Sequence, residues 1–125
     1  MLAFVTLSAL IVVVNAQFQN NTGTLFNFVP GLGACGFTNT SSQTVATVSG
    51  QFFDAFPGAT ANPNNNPICH HNLTITHNGT SLTAAIVDLF PGGPEFNVGL
   101  STSAFQKFAP LSQGIVNNVT WHVNQ

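Results

Sequence analysis

Apart from two cysteines, the side chains able to move protons near neutral pH are few: three acidic residues and four histidines in 125. Two of the acids, Asp88 and Glu95, share one stretch, VDLFPGGPEFNVGLS (87–101). A pair of carboxylates is the machinery of glycoside hydrolysis, one protonating the leaving oxygen while the other acts as base or nucleophile. Both must come within hydrogen-bond reach of the same bond. Glu95 stands in a loop flanked by Gly and Pro that gives it no fixed direction, so the two are not expected to form a catalytic pair. Asp88 has two readings, a carboxylate near a strand end that accepts backbone N–H bonds or a ligand contact. Asp54, after Phe52 and Phe53, reads as a local cap or hydrogen-bonding group, and Lys107 as a solvated helix residue.

The histidines do not have metal-site spacing. His70 and His71 are adjacent and would point to opposite faces of a strand. His71 and His77 share parity but stand ~20 Å apart at ~3.3 Å per residue. Neither arrangement is that of a zinc site, so surface or half-buried histidines are expected, with no metal and no cofactor. Cys35 and Cys69 are read as one disulfide if the chain is exported, closing a loop of about 34 residues; a catalytic thiol is the alternative.

The start of the chain bears on that compartment. Leu2 to Val14 is apolar but shorter than the ~20 residues that span a bilayer. Val14-Asn15-Ala16 offers small residues where a signal peptidase reads, and an Asn-rich segment follows. A signal peptide over 1–16 is expected, then a flexible leader over 17–22 and one domain over 23–125. The product would be extracellular and monomeric, with no membrane span after cleavage. One basic residue against three acidic ones excludes the clustered cations that bind nucleic acid. Five Asn-x-Ser/Thr sequons, at Asn20, Asn39, Asn72, Asn78 and Asn118, point to a glycoprotein.

Short strands with turn signals between them predict a small all-β barrel with one or two short helices. A first strand begins near Leu25, Thr44 to Ser49 is β-rich, and 50–56 makes a helical turn. Residues 57–67 read as a surface loop. His71, Leu73, Ile75 and His77 alternate with Asn72, Thr74 and Thr76, and Asn78-Gly79 is a hairpin turn leading into a strand over 81–89. Ser101 caps a helix running to Phe108, with Phe105 and Phe108 facing inward. In a last strand, Ile115 to Val123, the residues Val119, Trp121 and Val123 share one face.

PGLGACGFTN (30–39), NPNNNPIC (62–69), AAIVD (84–88) and LSTSAFQKFAPLSQGIVNNVTWH (100–122) occur in that order. Together they resemble the small secreted double-psi β-barrel proteins of fungi, in the rare-lipoprotein-A-like, barwin-like and expansin-like group. The resemblance implies a six-stranded barrel with one open groove and a Cys35–Cys69 disulfide. It also shows departures. The family pattern Val-Asp-Arg-Cys-Pro-Gly-Cys keeps Val87, Asp88, Pro91 and Gly92, but Leu89 replaces the Arg, and Phe90 and Gly93 replace both cysteines. Asn97 and Gly99 stand in place of two aspartates, and Phe26-Asn27-Phe28 in place of Thr-Tyr-Tyr. In enzymatic relatives the Asp matching Gly99 is the general acid, so the resemblance implies no catalytic residues here and no enzyme. Asp88, Asn27, Phe28, Phe90 and Phe96 are the expected groove residues, their aromatic rings able to stack on sugars, while Phe26, Phe105 and Trp121 are assigned to the core. The leading expectation is a non-catalytic binder of extracellular or cell-wall polysaccharide. The alternative is a protease inhibitor or effector acting through the loops 29–34, 57–67 and 90–96; a degenerate hydrolase ranks third.

Overall fold

The computed structural model describes residues 16–125, so the expected signal peptide, apart from Ala16, lies outside the described residues. Six strands, β1 (Asn21–Asn27), β2 (Val45–Ser49), β3 (Asn72–His77), β4 (Thr80–Phe90), β5 (Val98–Leu100) and β6 (Ile115–Val123), close into a barrel in the order β1-β5-β2-β4-β3-β6. The pairs β1/β5 and β2/β4 are parallel and the other four antiparallel. This is the expected six-stranded barrel, and closure leaves no sheet edge unpaired. Among the described residues no helix is long and apolar enough to cross a membrane.

The β3–β4 hairpin follows from its sequence. Asn78 and Gly79 both adopt positive φ (48° and 79°), as a two-residue type I′ turn requires. Leu73 and Ile75 are buried, while Thr74 and Thr76 reach across the outer face to Thr83 and Ser81. In β6, Val119, Trp121 and Val123 fill the interior as their spacing predicts. A bulge interrupts this strand: Gly23 pairs with Val119 but Leu25 with Val116, leaving an extra β6 residue opposite Thr24. Asn118 takes φ 57° there.

Two helices complete the core. α1 (Gly50–Ala55) follows β2 directly, and the Ser49 hydroxyl accepts from Phe52 N as its cap. This cap sets Phe52 and Phe53 into the core, Phe52 edge-on to Trp121 with ring centroids 4.9 Å apart. Asp54 is exposed on the opposite side and makes no hydrogen bond through its side chain, so it is not the expected cap. α2 (Thr102–Phe105) is shorter than the predicted helix, and the Ser101 side chain does not cap it. Its hydroxyl is turned instead toward the segment entering β2, donating to Gln43 O and accepting from Val45 N. Those two backbone groups lie at the start of a fully buried strand, where leaving either unpaired would be costly.

The expected leader makes contacts with the barrel. Ala16–Phe18 form a 3-10 turn whose Phe18 ring packs 5.7 Å from Phe56 and 5.6 Å from His71. Asn21 and Thr22 already belong to β1, opposite Trp121 and Thr120. Backbone pairing with the end of β6 recruits these polar residues, and it needs no apolar pattern. The loop 57–67 is largely exposed, as expected, except for buried Asn66. The Asn66 amide donates to Phe53 O and its carbonyl oxygen accepts from Ile68 N, capping the turn Pro67–His70 that presents Cys69. Cys69 is bonded to Cys35, which removes the catalytic-thiol alternative.

Candidate functional site

The strand registers place Ile115, Phe26, Gly99, Thr47 and Asp88 in one row across β6, β1, β5, β2 and β4. This row is the expected groove, and it is filled. Leu25 takes the interior position of β1, so Phe26 faces outward and is half-buried; it does not belong to the core as expected. A Cβ on Gly99 would lie 2.6 Å from Thr47 Cγ2 and 2.8 Å from the Phe26 ring. Phe90 then packs edge-on against Phe26, centroids 4.9 Å apart. The space an acid at position 99 would need is occupied by an aromatic ring, and the Thr47 hydroxyl beneath it is buried without a hydrogen bond.

A direct prediction follows for Gly99→Asp. Overpacking costs roughly 1–3 kcal/mol, and burying a carboxylate there adds to it. The variant is expected to lower Tm by several degrees and to release no reducing sugar from glucan or chitin. Adding Phe26→Ala should recover part of the lost stability, because it removes the atoms that the introduced side chain would strike. A fully additive double variant, measured by thermal unfolding, would contradict this packing.

The remaining expected groove residues make the following contacts. Asp88 Oδ1 accepts from Ala34 N at 2.9 Å and Leu89 N at 2.8 Å, pinning the loop after β1 onto β4. Asn27 donates its amide to Leu100 O and Thr102 Oγ1, joining β1 to the start of α2. Phe28 is half-buried beyond the end of β1, its N–H held by Leu100 O. Glu95 and Phe96 belong to a separate cavity that also includes Asn21 and Phe52, so Asp88 and Glu95 serve different surroundings. His70 is exposed and the other histidines half-buried. Among the described residues no three metal-ligating side chains come together. The sequon residues Asn20, Asn72, Asn78 and Asn118 are exposed, while Asn39 is half-buried with its amide donating to Gln43 Oε1.

What the Asp88 carboxylate holds in place is the most distinctive surface of the molecule. Residues 29–39 leave β1 and double back as a small knuckle. Leu32 bridges Thr38, flanked by hydrogen bonds from Gly33 N to Phe37 O and from Asn39 N to Gly31 O. The tip is tied down by Cys35 N to Val87 O, by the disulfide, and by Ala34 N on Asp88. Gly33 permits this approach, since a Cβ there would lie 2.4 Å from Val87 O. With the tip anchored inward, Val29 and Leu32 are 77% and 76% exposed and Phe37 is 49% exposed. Apolar side chains on so rigid a support lose little entropy when a partner covers them, and apolar surface of this kind marks interaction sites. Apart from Thr38, the exposed side chains of the knuckle are apolar or absent. Sequence reasoning identified 29–34 as a loop but missed Phe37 and the internal ladder. The signal was present in the alternation of small residues with Val29, Leu32 and Phe37 around Cys35.

No protein-family model matches the chain. It is 35% identical over 108 residues to a papain inhibitor of Streptomyces mobaraensis, covering 82% of this chain and 71% of that protein. The solved structure of a Streptomyces papain inhibitor superposes with a TM-score of 0.77 at 31% identity, covering 86% of this chain and 96% of that one. A mutant expansin of Clavibacter michiganensis in complex with cellohexaose gives a TM-score of 0.67 at 15% identity, and the apo expansin 0.67 at 14%. This chain spans about half the length of those expansins (51%), and at such identity the likeness is one of fold, the double-psi β-barrel.

Proposed function

This chain belongs to the family of the Streptomyces mobaraensis papain inhibitor, and from that premise we propose that it is itself a protein inhibitor of papain-like cysteine proteases. The exposed pair Val29 and Leu32, carried on the anchored knuckle 29–39, is the observation that supports this reading best. A substrate cleft of such a protease is a concave surface built to receive peptide side chains. A convex apolar knuckle fits it, and the ties at Gly33, Ala34 and Cys35 would keep the backbone from adapting to the catalytic geometry. We propose further that the protein is exported, sheds residues 1–16, and meets its protease outside the cell as a monomer.

The polysaccharide reading has less support. The row that would have been its groove is covered by Phe26 and Phe90, and the expansin likeness extends to fold alone. Titration of papain with the purified protein, beside a pulldown on insoluble glucan, chitin and cellulose, separates the two. Stoichiometric loss of papain activity with no retention on the polysaccharides is expected. Retention on a polysaccharide without inhibition of any cysteine protease would reverse the assignment.

A further inference from the structure

The knuckle by itself is small for a protease partner. A stable protein–protein interface covers about 800 Å² on each partner and engages roughly 20–30 residues of it. Residues 29–39 expose three large apolar side chains, Val29, Leu32 and Phe37. A second segment is therefore needed to complete the footprint. Among the described residues three further large apolar side chains are exposed, Phe96, Leu111 and Ile115. Phe96 lines the separate cavity before β5. Leu111 and Ile115 belong to one turn, 110–115, every residue of which is exposed and uncharged. Exposed apolar side chains grouped in this way mark a surface that another molecule covers.

The turn is held in shape. Leu111–Gln113 form a 3-10 turn, closed by Gln113 N donating to Pro110 O and Gly114 N donating to Leu111 O. The Gln113 side-chain amide donates to Ile115 O at 3.0 Å, and Gly114 takes φ 75° where the chain bends into β6. Strand register then places the turn beside the knuckle. Ile115 pairs with Phe26, which stands three residues before Val29. With at most ~3.6 Å per residue along the chain and ~5.5 Å between paired strands, the Cα atoms of Ile115 and Val29 lie within about 16 Å of each other. A patch of about 800 Å² is roughly 30 Å across, so one footprint spans both. Val116 is buried, so its neighbour Ile115 points outward, beside Phe26. Phe26 meets Phe90 with centroids 4.9 Å apart although β5 and β2 stand between their strands. The row is therefore concave, and its borders are drawn toward each other, Ile115 on one side and the knuckle pinned on Asp88 on the other. We propose, resting on the reading that the knuckle inhibits papain-like proteases, that Leu111 and Ile115 form a second contact to the same protease. The partner surface it fits is an uncharged, apolar patch bordering the substrate cleft.

The test titrates papain with the wild type, with Leu111→Ala/Ile115→Ala and with Ile115→Val, each checked by thermal unfolding. The double variant is expected to keep the wild-type Tm, because exposed substitutions change stability little, and to inhibit about tenfold more weakly. Ile115→Val keeps a branched apolar side chain and should inhibit like the wild type. Leu111→Ala alone lies outside β6; it should weaken inhibition at least about threefold even if Ile115→Ala disturbs the strand. In isotope-labelled wild type, the amide resonances of Leu111 and Ile115 should move with that of Leu32 when papain is added. Equal inhibition by the wild type and both alanine variants would overturn the second contact and leave the knuckle reading standing. So would a complex in which the Leu111 and Ile115 resonances stay in place. An alanine variant that inhibits like the wild type but sediments differently would assign the patch to a second copy of this chain, and would equally overturn the proposal. A wild type that leaves papain fully active would overturn both the second contact and the knuckle reading.

Discussion

Replacing both Cys35 and Cys69 by serine is expected to lower Tm by more than about 10 °C and to abolish inhibition of papain. The bond spans 34 residues, and closing a loop of that length in the unfolded chain is worth roughly 4 kcal/mol in the chain-entropy model. A domain of this size has a total stability of about 5–15 kcal/mol, so the loss is a large share. The local effect is greater still. Cys35 and Cys69 are buried members of the core cluster, and Cys35 is the tip by which the knuckle is fastened to the turn Pro67–His70. Without it, Ala34 N on Asp88 and Cys35 N on Val87 O are the remaining ties at the tip. The apolar side chains would then be displayed by a mobile loop, which loses entropy on docking. Thermal unfolding and a papain titration below the lowered Tm measure the two effects separately. A folded double-serine variant that inhibits as well as the wild type would show that rigidity of the knuckle is not required.

Truncating Val29 and Leu32 together to alanine is expected to weaken inhibition by at least about 30-fold while leaving the fold intact. Central interface anchors commonly cost about 2 kcal/mol or more when truncated, and roughly 1.4 kcal/mol is a factor of ten in affinity. Both side chains project from the barrel, 77% and 76% exposed, and neither belongs to the core cluster. Surface substitutions of this kind normally change stability by no more than about 0.5 kcal/mol. The same variant discriminates between surfaces. A groove-based interface would be indifferent to Val29 and Leu32 but sensitive to Phe26→Ala, which uncovers Gly99 and Thr47.

The local elements were legible where neighbours in sequence are neighbours in space. Asn78-Gly79 with its flanking alternation gave the β3–β4 hairpin, and Val119, Trp121 and Val123 gave the inner face of β6. Cysteine count and the family resemblance both pointed to the Cys35–Cys69 bond. The parallel pairs were not legible from residue pattern, because β5 is three residues long and its parallel partner β1 lies some 70 positions away, while β2 and β4 lie some 40 positions apart. The start of β1 is Asn-Thr-Gly, a polar run held in the sheet through backbone pairing alone. The groove illustrates the limit most clearly. The departure at Gly99 could be read directly, but not that Phe26, one strand over, fills the space it leaves. Likewise Asp88 could be read as an acceptor of backbone N–H bonds, yet its principal partner, Ala34, stands 54 residues away.

The central claim is that the anchored knuckle, and not the covered groove, is the face that meets a protease. The most direct measurement is a parallel titration of papain with wild-type protein and with the Val29→Ala/Leu32→Ala variant, both verified as folded by thermal unfolding. Tight inhibition by the wild type and an inhibition constant at least about 30-fold weaker for the variant is the predicted result. Equal inhibition by the two proteins would contradict the claim.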